Sequence, residues 1–137
     1  MIEYNFQKGF KFSNQINLSS WISDVIEYES YREGEINYVF CSDEYLLEIN
    51  NKHLKHNTLT DIITFNYNLG KQINSEIYIS IDRVKDNAVS FEVSFIDELH
   101  RVIIHGILHL CGYKDKTLDD KSLMKQKEDY YLSLRKF

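Results

Sequence analysis

The stretch "HGILHLCGYKD", residues 105–115, decides how this chain is to be read. Two histidines stand four apart, a glycine follows, and an aspartate closes the run. In an α-helix, positions i and i+4 share one face about one turn apart. His105 and His109 therefore aim two imidazoles at one point, a spacing that suits a single metal ion. Gly112 suits the left-handed backbone that ends a helix and reverses the chain. That turn brings Asp115 back over the same face as a third, oxygen ligand. Two histidines and a carboxylate, with a fourth position open to water, form the pattern of a catalytic zinc site. A structural site calls for four protein ligands, and neither Cys41 nor Cys111 has a partner at ligand spacing. Taken singly, either histidine reads by default as a core residue with satisfied hydrogen bonds, and Asp115 reads also as an N-cap-like loop residue ahead of the last helix. His100 is rotated by about 140° from His105 and falls off the stripe, as a surface or core residue. Position 106 is glycine, so the general base of a zinc-protease HExxH is missing and a peptidase is disfavoured.

Outward from this run, the helix that carries the histidines is expected from Ser94 to about Cys111. A last amphipathic helix is expected over 118–134. Upstream, residues 2–6 read as a short strand, and 18–30 as a helix opened by a serine cap, with Trp21, Ile22, Val25 and Ile26 at helical spacing. Residues 36–42 are β-branched and aromatic, and Ser42 caps a second helix. Strands at 61–67 and 76–81 are joined by a polar loop containing Gly70. The expected order βαβαββαα describes an α+β fold: a mixed sheet of about four strands, a long metal-bearing helix and a zincin-like site.

Composition bounds the rest. At 137 residues, with no proline, no repeat and no linker-like tract, the chain is expected to form one domain over 1–137. The start, "MIEYNFQKGF", lacks the pattern of a secretory signal, and no apolar run approaches the ~20 residues of a membrane span. The two cysteines sit in apolar contexts, where a free thiol packs as a small hydrophobe. A reducing cytoplasm and no membrane association are the expectation. The net charge of −5 is unevenly spread. Residues 1–50 carry nine acids against Lys8, Lys11 and Arg32; 51–57 carry Lys52, His53, Lys55 and His56 and no acid; 114–137 carry seven Lys/Arg against five acids. The cationic segments are either a local phosphate-facing surface or simply solvated helix faces.

Three blocks of this sequence, in order, resemble one family. "HGILHLCGYKD" is similar to the HGxLHLxGYDH signature of the YbeY family, bacterial metal-dependent endoribonucleases of ribosomal RNA maturation. "NTLTDIITFNY" (57–67) is similar to its D-x-P-T-D-V-L-S-F stretch at Thr60, Asp61 and Phe65. "EIYISIDRVKDNA" (76–88) is similar to its G-D-I-x-I-S-x-D-x-V-x-x-x-A stretch at Ile77, Ile79, Ser80, Asp82, Val84 and Ala88. The resemblance implies a single-strand-specific, zinc-dependent endoribonuclease with one ion per chain on His105, His109 and Asp115, acting on the RNA of the small ribosomal subunit in its maturation and quality control. A ribosomal protein or an assembly GTPase is a further partner class. Departures from the pattern are specific. The family's last histidine falls on Asp115, the aspartate before it on Lys114, and the proline on Leu59. The family's arginine falls on Leu54, so Lys55 or His56 is expected to supply the phosphate contact as a point charge. No general base stands out; Asp61, Asp97 and Glu98 are candidates by proximity alone. Two other readings stay open: a non-catalytic assembly factor in which the metal staples the helix to the following loop, and some other zinc hydrolase.

Overall fold

The computed structural model describes residues 1–7, 9–55 and 58–137. A four-stranded sheet in the order β1-β2-β4-β3 is its frame. Strands β1 (Ile2–Phe6), β2 (Arg32–Cys41) and β4 (Gln72–Ser80) run parallel, and β3 (Ile62–Asn66) pairs antiparallel with β4. Alternation along β4 turns Ile73, Ser75, Ile77 and Ile79 inward. Against that face pack α1 (Gln15–Tyr28), through Leu18, Trp21, Ile22, Val25 and Ile26, and α4 (Phe95–Leu110). Tyr78 and Phe65 point to the opposite face, where α2 (Asp43–Leu54) closes a smaller cluster with Leu46, Cys41 and Ile63. The mixed α+β sheet expected from the sequence is therefore present.

Two elements depart from the expected order. A further helix, α3 (Ile81–Phe91), follows β4 directly, with Ser80 as its cap accepting from Arg83 N–H. Ile81, Val84 and Ala88 form a single buried stripe on it. Three buried residues in eleven are a faint periodic signal, which the strand character of the preceding run concealed. Helix α1 also begins three residues earlier than its serines suggest, after Asn14 in left-handed backbone and without a side-chain cap. The other caps are as read. Ser42 accepts from Tyr45 N–H, and Ser94 from Asp97 N–H.

Helix α4 lies unusually near the sheet. A Cβ at Gly106 would come within 2.9 Å of Ile62 Cδ1 and 3.2 Å of Thr64 Cγ2. Glycine at 106 thus sets the depth of the helix that carries both histidines. The last helix, α5 (Leu118–Ser133), opens on a Thr117–Asp120 capping box and docks through Met124, Glu128 and Tyr131. Trp21 Nε1 donates to Tyr131 O at 2.9 Å, locking α1 to α5. Both cysteines are free and buried, their thiols pushed up to about 12 by burial, which fits packing rather than chemistry.

His100 is a core residue. It is 8% exposed and hydrogen-bonded through Nδ1 to Arg135 Nη1 at 2.7 Å. Burial, with the Arg135 charge adding to it, drives its imidazole down to about 4. A histidine depressed in the folded state stabilises fully above its unfolded pKa near ~6.5, and the contribution is lost as pH falls toward the folded value. Between pH 6.5 and 4 the wild type is expected to lose up to about 3 kcal/mol that His100→Gln keeps. Urea unfolding of both chains across that range measures the difference; parallel curves would refute it.

Candidate metal centre

The three residues singled out at 105, 109 and 115 come together. One ligand atom from each of His105, His109 and Asp115 lies within 4.8 Å of the others. The rings of His105 and His109 have centroids 4.5 Å apart, as the one-turn spacing on α4 requires. Gly112 has φ +99°, and with Gly112 N–H donating to His109 O and Tyr113 N–H to Leu108 O it closes the helix and turns the chain back. Asp115 Oδ2 thereby reaches 3.7 Å from His105 Nε2.

Both imidazoles are oriented from behind. His105 Nδ1 hydrogen-bonds to Glu128 Oε2 at 2.6 Å, and His109 Nδ1 to the Tyr113 carbonyl at 2.8 Å. A ring that donates through Nδ1 presents the Nε2 lone pair, so both histidines offer Nε2 toward Asp115. In tetrahedral coordination at ~2.0–2.1 Å, ligand atoms stand roughly 3.3–3.5 Å apart. The 3.7 Å separation of His105 Nε2 and Asp115 Oδ2 therefore fits an ion after a shift of a few tenths of an ångström. The residues present suit a transition-metal ion.

Charge around the site points the same way. Burial works to lower the His105 pKa, but the hydrogen bond and charge of Glu128, with Asp115 and Asp61, carry it above its ordinary value. His109 is held below its ordinary value by burial and by the charge of His105, against the opposing pull of Tyr113 and Asp115. Burial raises the Asp61 carboxyl, opposed by His105 and assisted by Glu128 and Asp115. The cleft over these groups measures about 670 Å³. Its acids are Asp61, Glu98, Asp115 and Glu128, its cations Arg101, Lys121 and Lys125, and Phe91 and Val93 give it an apolar lip. An acid-rich floor attracts a cation and repels a phosphodiester until that cation is present.

Lys55 is the left-handed cap of α2, exposed, and is not among the residues that line the cleft. His56 lies outside the described residues. Sequence reasoning missed Glu128 and Arg101, which pair at 2.8 Å above His105. The available signal was a glutamate on the buried stripe of α5, between Met124 and Tyr131. A second, half-buried network holds the returning loop. Glu29 accepts from Tyr113 Oη at 2.7 Å, from Lys127 Nζ at 3.2 Å and from Tyr131 Oη. Although burial works upward, these partners keep the Glu29 carboxyl below its ordinary pKa.

Outer partners of metal-bound histidines commonly contribute 10–100-fold in affinity. Glu128→Gln is expected to weaken metal binding by about 10-fold, because the amide still reaches His105 but carries no charge; Glu128→Ala should cost about 100-fold. Competition with a chelator of known affinity reads both, and equal affinity in all three proteins would remove Glu128 from the site.

The geometry agrees with what the chain is similar to. The solution structure of TM1509 from Thermotoga maritima superposes with a TM-score of 0.69 at 27% identity, covering 97% of this chain and 87% of that one. Endoribonuclease YbeY of Flavobacterium psychrophilum is 53% identical over 134 residues, covering 98% of this chain and 96% of that protein. That of Flavobacterium johnsoniae is 51% identical with the same coverage. The family profile for endoribonuclease YbeY matches residues 3–135, and the chain belongs to that family.

Proposed function

We propose that this protein is a zinc-dependent endoribonuclease that cuts single-stranded RNA of the small ribosomal subunit during its maturation and quality control, in the cytoplasm. The carrying observation is the convergence of His105, His109 and Asp115, with His105 and Asp115 lining an open cleft and each histidine tied back through Nδ1. One ion per chain is the expected loading, with the domain spanning residues 1–137. A soft imidazole pair with one carboxylate favours zinc over magnesium. No helix among the described residues is long and apolar enough to cross a membrane.

When bound, the ion supplies Lewis-acid chemistry, polarising a phosphoryl oxygen and making water a nucleophile near neutral pH. The protein's own groups do the rest. Glu128 and the Tyr113 carbonyl hold the imidazole rings in register. Asp115 brings one negative charge, which leaves the centre less positive than three histidines would. Arg101 is tied to Glu128 and Asp129, so its role is to brace α4 against α5 rather than to grip phosphate freely. Lys121 and Lys125 border the cleft, and Lys114 and Lys116 flank Asp115. Lys55 and His56 are proposed as contacts to the RNA backbone on the approach, on the segment that leads from α2 to Asp61.

The test uses the purified chain, its metal measured by elemental analysis, and matched single-stranded and duplex RNA. Metal-dependent internal cleavage of the single strand, slower on the duplex, is the expected result. Phosphate contacts make binding weaken with salt. Charge reversal of Lys52, Lys55, Lys114 and Lys116 is expected to flatten that dependence. A metal-loaded chain that cuts no RNA defeats the proposal and favours the stapled assembly factor.

A further inference from the structure

Three acids near α4 were candidates for proton transfer, and the structure separates them. Asp97 points away from the cleft, half exposed and paired with Arg135 at 3.0 Å. Asp61 is occupied, accepting from Asn87 Nδ2 at 3.3 Å. Glu98 is different. It is only 4% exposed, and its carboxyl joins no hydrogen bond or ion pair with any described residue. Yet neither oxygen is sealed in the core without a partner, because the side chain opens onto the cleft that His105 and Asp115 also line.

The placement on α4 is as informative as the burial. Seven residues separate Glu98 from His105, two turns along the same face and about 10 Å of rise. Side chains on a helix all lean toward its N-terminus, so Glu98 and His105 keep that two-turn spacing, which leaves room for a substrate group between them. A phosphodiester seated between them would have the metal ligands on one side and an unengaged carboxyl on the other. A largely buried carboxyl that no protein group pairs is costly to keep ionised, even where its oxygens open onto a cleft. A purely structural role at 98 would be met as well by glutamine or leucine.

We propose that Glu98 is the general acid of the cleavage reaction, delivering its carboxyl proton to the ribose oxygen that leaves phosphorus. This rests on the reading of the chain as an endoribonuclease. The oxygen of water forms a bond to phosphorus as the bond from phosphorus to the leaving oxygen breaks. The electron pair of the broken bond stays with that oxygen, which takes the proton of Glu98. The proton shed by the attacking water passes to solvent, from which the Glu98 carboxylate is reprotonated. Burial and the charge of Asp61 raise Glu98 to about 7, opposed by Arg101, with Glu128 assisting and His105 opposing; Lys121 and Lys125 face the same cleft. Burial thus favours the protonated carboxyl, the form an acid catalyst requires.

The experiment compares wild type and Glu98→Gln, both zinc-loaded. On single-stranded RNA the variant is expected to lose 10²–10³-fold in kcat with KM nearly unchanged, on the order of a general-acid contribution. The alkaline limb of its pH profile should disappear. Its metal stoichiometry and thermal midpoint should match or exceed those of the wild type. On RNA with a bridging sulfur in place of the leaving oxygen, whose thiolate departs without a proton, the variant should approach the wild-type rate. Wild-type activity of Glu98→Gln on ordinary RNA overturns the assignment, as do an undiminished defect on the sulfur substrate and loss of the ion. If the wild type cuts no RNA at all, the parent reading fails and this one with it.

Discussion

Replacing His105 or His109 with alanine is expected to take the ion content from about one per chain to none and to lower RNA cleavage by ~10⁴-fold or more. In the proposed centre each imidazole would supply one of three protein ligands, and a remnant of one nitrogen and one carboxylate would hold zinc too weakly to survive dialysis. The fold should persist. Helix α4 is anchored by Leu99, Val102, Ile103, Ile104, Ile107, Leu108 and Leu110, none of which is a candidate ligand. Loss of the His105 ring leaves Glu128 paired with Arg101 at 2.8 Å, so no uncompensated charge is buried. Far-ultraviolet circular dichroism and the thermal midpoint check the fold, and elemental analysis checks the ion. This result also separates enzyme from staple. If the metal's role is to pin α4 to the 112–117 loop, both variants unfold or melt far lower, whereas Glu29 with Tyr113, Tyr131 and Lys127 already pins that loop without metal.

Legibility in the sequence followed how local each cause is. The metal-bearing helix could be read closely because Ser94, the apolar run and Gly112 are all signals within one segment. The ligand trio followed from the same local facts: one helical turn between two imidazoles, then a glycine turn. Helix α3 escaped because its cap, Ser80, doubles as the last residue of a strand, and a boundary of that kind carries no turn residue. Glu128 escaped, and Glu98 could be named only by proximity beside Asp61 and Asp97, for another reason. Each owes its role to partners distant in sequence or to having none, and both are properties of packing rather than of pattern. The assignment of His100 could go either way from sequence, since Arg135 lies thirty-five positions downstream.

Asp115 is the candidate metal ligand at which this chain departs from the YbeY signature, and its substitution should show different outcomes for two replacements. The carboxylate is the most exposed of the three candidate ligands, 39% against 20% for His105, and it sits on a loop rather than on α4. Asp115→Asn keeps the shape but replaces a charged oxygen with a neutral amide, a poor zinc ligand; a fall of at least ~10²-fold in metal affinity is expected, beyond that of an outer partner such as Glu128. Asp115→His restores a nitrogen ligand and should hold the ion. It also removes one negative charge from the centre, so the nucleophilic water ionises more readily and the acid limb of the activity profile should move to lower pH. Chelator competition and pH-rate profiles of the three proteins read both effects. Lys114 and Lys116 flank the position in every variant, so the comparison isolates the ligand from the local field. Full affinity in Asp115→Asn would place the third ligand elsewhere. An unshifted profile in a metal-loaded Asp115→His would mean that ionisation of that water does not set the acid limb, and the charge argument would fall while the ligand assignment stood.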